Sequence, residues 1–156
     1  MGKFILIFFA AYLVGSVNVA ILLFKILKRE DPRKSFSRNP GTTNVYRQAG
    51  FFWALVVLLL DFGKAVVIGA VSLMYLSKIA IPWMGISLLL GNRYPCFHGF
   101  KGGKGVANYL GFTAAVTPVS ACLSMLCWGG LFGLFRKPFI SSFGMVLILT
   151  FGMIYK

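Results

Sequence analysis

Two short segments hold most of the residues in this chain that can do chemistry. The first reads Ser37-Arg38-Asn39-Pro40-Gly41-Thr42-Thr43-Asn44-Val45-Tyr46-Arg47. It joins hydroxyl and amide side chains to a Pro-Gly turn and two arginines. Such a turn can aim successive backbone N–H groups at one point, which suits an anion. Arg47 adds a planar fork able to grip a phosphate through two hydrogen bonds. A solvated basic loop drawn to anionic lipid headgroups has the same composition, so this segment alone leaves both readings open.

The second segment reads Gly99-Phe100-Lys101-Gly102-Gly103-Lys104-Gly105 and runs into Val106-Ala107-Asn108. Glycines permit close backbone approach, and a helix N-terminus presents free N–H donors at its positive dipole end. Lys101 and Lys104 beside such donors make a phosphate cradle. A nucleotide P-loop is excluded. Gly105 stands where Ser or Thr must hold magnesium, His98 stands where the leading glycine belongs, and no strand precedes.

Few other groups can titrate or ligate. The acids are Glu30, Asp31 and Asp61. Asp61 and Lys64 sit three residues apart on one helix face and read as an internal ion pair, because a lone carboxylate within a membrane is costly. His98, the one histidine, is either a general base or an interface residue among Phe97 and Phe100. Cys96, Cys122 and Cys127 show no metal-ligand spacing or disulfide framework and are expected as buried, inert thiols. No metal site and no cofactor is expected.

The elements that must position these loops are apolar. The chain has 156 residues with a mean hydropathy of +0.83, and 12% are charged, against roughly 25% in a soluble domain. A water-soluble globule is excluded. Nucleic acid is not expected as a partner despite the net charge of +13, because the cations lie between apolar runs and no basic-aromatic platform accompanies them. The fold class expected is an all-α, polytopic membrane bundle of about six segments within one membrane domain over 1–156. Its apolar runs lie near 4–24, 51–76, 79–91, 106–117, 118–135 and 139–155. The first is too long for a typical signal h-region, and no small-residue cleavage site follows. The run at 79–91 spans only about 20 Å, and Pro118 must break the long run that contains it. Short and broken helices in a bilayer require protein or a watery cavity to satisfy their backbone. They therefore mark either a polar cavity near the basic loops or merely poor spans in a small bundle.

Lys and Arg sort by side. Twelve cations fall in three loops, at 25–50, 92–105 and 136–137, against Lys3, Lys78 and Lys156 on the other side. The positive-inside rule then puts the three loops in the cytoplasm and the N-terminus outside.

Taken together, Gly15-Ser16, the run Ser37 to Arg47, Asp61 with Lys64, and Gly99 to Ala107 resemble the acyl-phosphate-dependent glycerol-3-phosphate acyltransferases of bacteria, the PlsY family. The resemblance implies transfer of a fatty acyl group from acyl phosphate to glycerol 3-phosphate, giving lysophosphatidic acid in phospholipid biosynthesis. It also implies a multi-pass place in the bacterial inner membrane among its lipids, with the site open to the cytoplasm. Ser37, Arg47 and Lys104 match residues expected to be catalytic. Asn39, Gly41, Asn44, Lys101, Gly102, Gly103 and Gly105 match residues expected to shape the loops and bind phosphate. Three departures accompany the likeness. Asn92 stands where the family usually has histidine, Arg38 replaces a glycine, and the family's C-terminal third motif is not found up to Lys156. The expectation is thus a divergent or C-terminally incomplete member. The alternative is a catalytically impaired relative that binds phosphorylated lipid or a membrane partner.

Overall fold

The computed structural model describes residues 1–154, without the side chains of the last two, and among them contains helices and no strand. The helices are α1 Gly2–Ser16, α2 Val19–Ile26, α3 Thr42–Ala49, α4 Phe51–Tyr75, α5 Ile81–Arg93, α6 Val106–Val116, α7 Pro118–Phe135 and α8 Pro138–Ile154. A single 3-10 turn, Cys96–His98, follows α5. Helices α4 and α7 are long and apolar enough to cross a bilayer, and the bent pair α1 and α2 together has the length and composition of a third span. At 1.5 Å per residue, α4 reaches about 37 Å, more than the hydrocarbon thickness. Large apolar side chains such as Leu6, Phe9, Phe52, Leu59, Val119, Leu126 and Leu134 stand exposed around the bundle, as lipid-facing residues must. Tyr155 and Lys156, counted above in the last run and in the charge sorting, lie outside the described residues.

The run 4–24, expected as one continuous segment, is instead two helices bent by 43° at Val17–Asn18. The reason is local. Asn18 is buried, and its side-chain oxygen caps α2 by accepting from Ile21 N at 3.1 Å. The carbonyl of Val17, freed by the break, accepts from the Lys64 ammonium at 2.6 Å. Lys64 also pairs with Asp61 at 2.7 Å, as the spacing predicts. The ion pair therefore supports the break in a neighbouring helix. Satisfying freed backbone groups in this way is what makes a broken membrane helix tolerable.

The core lies where α1, α4, α5 and α6 meet, around Ala11, Ala65, Met84, Leu88 and Phe112. Helices α1 and α5 cross at backbone distance. A Cβ on Gly15 would land on the Leu88 carbonyl, and one on Gly91 on the Tyr12 carbonyl. Gly15 and Gly91 thus permit this close packing. Ser87 Oγ donates to Phe8 O at 2.6 Å across the same crossing. A second cluster joins α2, α3 and α4 through Phe24, Val45, Ala54 and Val57. A third joins α6, α7 and α8 through Leu110, Ala121, Met145 and Leu149. The break before Pro118 occurs as expected, with Thr117 between α6 and α7.

The expectation of buried cysteines is not met: Cys122 is exposed, and Cys96 and Cys127 are half-buried. Much of α7 is open, with only Ala121 and Ser124 of the helix buried. Its apolar faces, thiol included, are left for lipid. All three thiols are free.

Candidate active site

The first loop is shorter than its sequence implied. The segment expected as a loop to Arg47 becomes helical at Thr42, so Arg47 rides on α3 and faces outward. The side chain of Asn44 is buried and turned toward its own loop. Its Nδ2 donates to Pro32 O at 2.8 Å and Ser35 O at 3.3 Å, and its Oδ1 accepts from Ser37 N at 3.4 Å. Gln48 donates to the same Pro32 carbonyl at 3.1 Å. Helix α3 thereby draws the loop into a fixed curl around buried Pro32, and Asn44 shapes the loop from within. Ser37 is exposed at the outer edge of the curl. Asn39 lies against Gly41, where an added Cβ would come within 2.9 Å of its amide nitrogen.

The second loop is held by α5. Gly102 N donates to Arg93 O at 3.1 Å, and Gly103 N donates to Asn92 O at 3.0 Å. These two N–H groups are therefore spent on the turn itself. A Cβ on Gly102 would strike the Asn92 carbonyl, which explains why glycine is required there. Further donors stand at the α6 N-terminus, at Val106, Ala107 and Asn108, which have no intrahelical acceptor. Gly105 precedes them with φ of +76°, a left-handed conformation that favours glycine. Buried Asn92 accepts a 2.9 Å hydrogen bond from Asn108 Nδ2, fastening the end of α5 to the start of α6. Asn108 Oδ1 is buried with no partner among the described residues.

The fold brings the two loops together. Arg33 forms the main link. Its Nε and Nη2 bind the Asp31 carboxylate, with contacts between 2.6 and 3.0 Å. Its Nη1 crosses to the second loop and donates to His98 O at 2.8 Å and Lys101 O at 2.9 Å. A further contact lies deeper. Asn18 Nδ2 donates to Pro40 O at 3.4 Å, and a Cβ on Gly103 would meet that same Pro40 oxygen at 3.3 Å. Asn18 therefore serves the first loop, in addition to capping α2. Lys104 Nζ lies 5.2 Å from the Phe139 ring centroid, so the start of α8 and its basic turn stand at this same end of the bundle. Lys3 lies over Tyr75, which places the start of α1 beside the end of α4.

Electrostatically this end is short of anions. All three acids are taken, by Arg33, Lys34 and Lys64. The side chains of Arg47 and Lys104 make no ion pair or hydrogen bond among the described residues. The Arg33 fork holds the Asp31 carboxyl below the usual carboxylate range. Burial, reinforced by the Arg33 charge, pushes the His98 imidazole below its ordinary pKa, so it is neutral at pH 7. Its Nε2 is buried without a partner among the described residues, while its carbonyl serves the Arg33 link. No cluster of metal-ligating side chains occurs among the described residues.

Arg33, Asp31 and Asn18 were not singled out by sequence reasoning as site residues. The available signal was Asp31-x-Arg33 in a loop with only two acids, a spacing that lets one side chain fold back onto the other. Asn92 was singled out only as a departure from a family pattern, not for its grip on Gly103 and Asn108.

Comparison with known proteins gives the family of the chain. A family profile described as Glycerol-3-phosphate acyltransferase matches residues 5–156. A glycerol-3-phosphate acyltransferase of Vibrio campbellii is 39% identical over 143 residues, covering 91% of this chain and 70% of that protein. One of Methylobacillus flagellatus is 41% identical over 128 residues, covering 81% of this chain and 65% of that protein. The crystal structure of PlsY, an integral membrane glycerol 3-phosphate acyltransferase, in its glycerol 3-phosphate form superposes with a TM-score of 0.91 at 33% identity, over 98% of this chain and 77% of that one. Its lysophosphatidic acid form gives 0.82 at 31% identity. With these loops on this bundle, the chain belongs to the glycerol-3-phosphate acyltransferase family.

Proposed function

We propose that this protein transfers a fatty acyl group from an acyl phosphate to glycerol 3-phosphate, yielding lysophosphatidic acid and inorganic phosphate for phospholipid synthesis. The observation that carries this reading is the Arg33 link, which holds two cationic loops side by side at one end of a membrane bundle. Both substrates bear phosphate, and both need a cationic grip. An acyl phosphate is a mixed anhydride and already activated. The glycerol hydroxyl oxygen attacks the acyl carbon, the bond from that carbon to the phosphate oxygen breaks, and the hydroxyl proton passes to phosphate. The protein's tasks are then orientation and stabilisation of the leaving phosphate. Arg47 and Lys104 supply uncompensated positive charge, Ser37 supplies a hydroxyl, and Lys101 with the α6 N-terminus completes the phosphate grip. Asn39, Gly41, Gly102, Gly103 and Gly105 set the backbone that carries them.

The membrane placement follows from charge. We place the chain in the bacterial inner membrane as one domain, with the N-terminus outside and the linked loops in the cytoplasm, where both phosphorylated substrates and the greater cation count belong. Purified full-length protein in detergent, given acyl phosphate and glycerol 3-phosphate, is expected to form lysophosphatidic acid. Lys104→Ala is expected to lower the rate by at least about a hundredfold, the scale of one lost transition-state donor. Folded protein that forms no product refutes the reading.

One observation favours a second reading. Asn92 cannot titrate, and its side chain is committed to Asn108. A relative that binds phosphorylated lipid without turnover is consistent with this. Binding of lysophosphatidic acid in the absence of any product distinguishes it.

A further inference from the structure

Beside the linked loops lies an open cavity of about 280 Å³, lined by Arg33, Arg38, Arg93, Tyr94, Phe100, Lys101 and Gly102. None of Ser37, Arg47 and Lys104 borders it. Arg33 is already neutralised by Asp31, but Arg38, Arg93 and Lys101 have no carboxylate partner among the described residues, whose three acidic side chains pair elsewhere. Nor do their side chains donate a hydrogen bond among the described residues; Arg93 only stacks on Tyr94, at 5.6 Å. Three cations around one concavity repel one another unless an anion joins them.

Among the described residues five non-glycines have positive φ, and two of them line the cavity. Arg38 has φ of +54° and Phe100 has φ of +57°. Both are left-handed conformations disfavoured for residues with a Cβ, and both residues line the cavity. Such outliers persist where the surroundings enforce them, and they cluster at ligand sites. Tyr94 and Phe100 are exposed aromatics of the kind that sits at headgroup level. Tyr94 is anchored through its carbonyl, which accepts from Tyr12 Oη at 2.8 Å. The cavity thus has cationic walls and an amphipathic rim.

We propose that this cavity is a second phosphate-binding site, for a phosphoryl group held by Arg38 and Arg93; it borders the first site at Lys101 but is reached by none of Ser37, Arg47 and Lys104. Two sources carry that chemistry: an anionic phospholipid headgroup and a soluble phosphate. The proposal goes beyond acyl transfer, and its test reads binding without turnover.

The test uses the full chain in phosphatidylcholine nanodiscs, titrated calorimetrically with inorganic phosphate. The double variant R38Q/R93Q is expected to weaken this binding about a hundredfold, roughly tenfold for each lost charged hydrogen-bond donor. Lys104→Ala is expected to leave it in place. Equal affinity in the parent and R38Q/R93Q overturns the proposal, as does complete loss of binding in Lys104→Ala. A measurement on the unaltered protein guards against misfolded variants: phosphate is expected to protect Arg38 and Arg93 from phenylglyoxal, read by mass spectrometry, and absence of protection overturns the site. Phosphatidic acid added to the discs then identifies the source. Competition with inorganic phosphate assigns the site to a headgroup, and lack of competition assigns it to a soluble phosphate; either result requires the site.

Discussion

Replacing Arg33 by alanine cuts the link between the two loops while leaving Ser37, Arg47 and Lys104 in the chain. Arg33 gives two hydrogen bonds to carbonyls of the second loop, at 2.8 and 2.9 Å. A hydrogen bond from a charged donor contributes about 1.5–3 kcal/mol. The Arg33 side chain is 27% exposed, so water screens it and the low end applies. Two such bonds sum to about 3 kcal/mol, or roughly a hundredfold in the population with the loops joined. Saturating substrate can drive the loops together again, since a phosphorylated ligand attracts both. The loss therefore falls mainly on KM for glycerol 3-phosphate, and kcat is largely recovered. Steady-state release of phosphate from acyl phosphate measures both. Arg33→Lys keeps the charge, but one ammonium cannot serve Asp31 and two carbonyls together, and an intermediate KM is expected. A general folding defect instead lowers the active fraction and with it the apparent kcat. An unchanged KM in Arg33→Ala, or a fall in kcat alone, would show that the link does not position the site.

Three further expectations concern the support of these loops. Gly102→Ala places a methyl against the Asn92 carbonyl, and such overpacking costs about 1–3 kcal/mol; activity should fall sharply while helix content by circular dichroism stays unchanged. Lys64→Met leaves Asp61 buried and unpaired and frees the Val17 carbonyl; it should destabilise by about 3–5 kcal/mol in thermal unfolding in detergent, with much of that regained in D61N/K64M. The third concerns acid. The Asp31 carboxyl is held low by Arg33, so its contribution is complete above the ordinary Asp pKa of about 3.9 and is lost as pH falls through the depressed value. Proteolysis of the first loop should accordingly speed up below about pH 4, and Asp31→Asn should show that faster cleavage already at neutral pH.

Much of this molecule is legible in its amino-acid order. Hydropathy delimits the apolar runs, and Pro118 divides the fourth of the five continuous stretches where the structure does. These are local properties, set by the transfer of side chains to lipid and by a missing backbone donor. The spacing of Asp61 and Lys64 likewise announces their pairing, because both lie on one turn of one helix. The identities of the loop cations are equally plain.

The partners of those residues are not. Whether Val17 ends a helix depends on a lysine 47 positions away that accommodates its carbonyl. Whether Gly102 and Gly103 offer their N–H groups to an anion depends on the end of α5, whose carbonyls take them first. Arg33 is one of seven cations in its segment, and nothing in its neighbours shows that it reaches the other loop, 65 and 68 residues on. Periodicity and propensity act over a turn or two of chain. Hydrogen bonds between distant carbonyls and side chains arise only when packing at Gly15 and Gly91 has set α1 against α5. Residue order alone specifies a membrane bundle with two cationic loops. Packing settles that the loops meet, which donors they keep, and that Arg33 joins them.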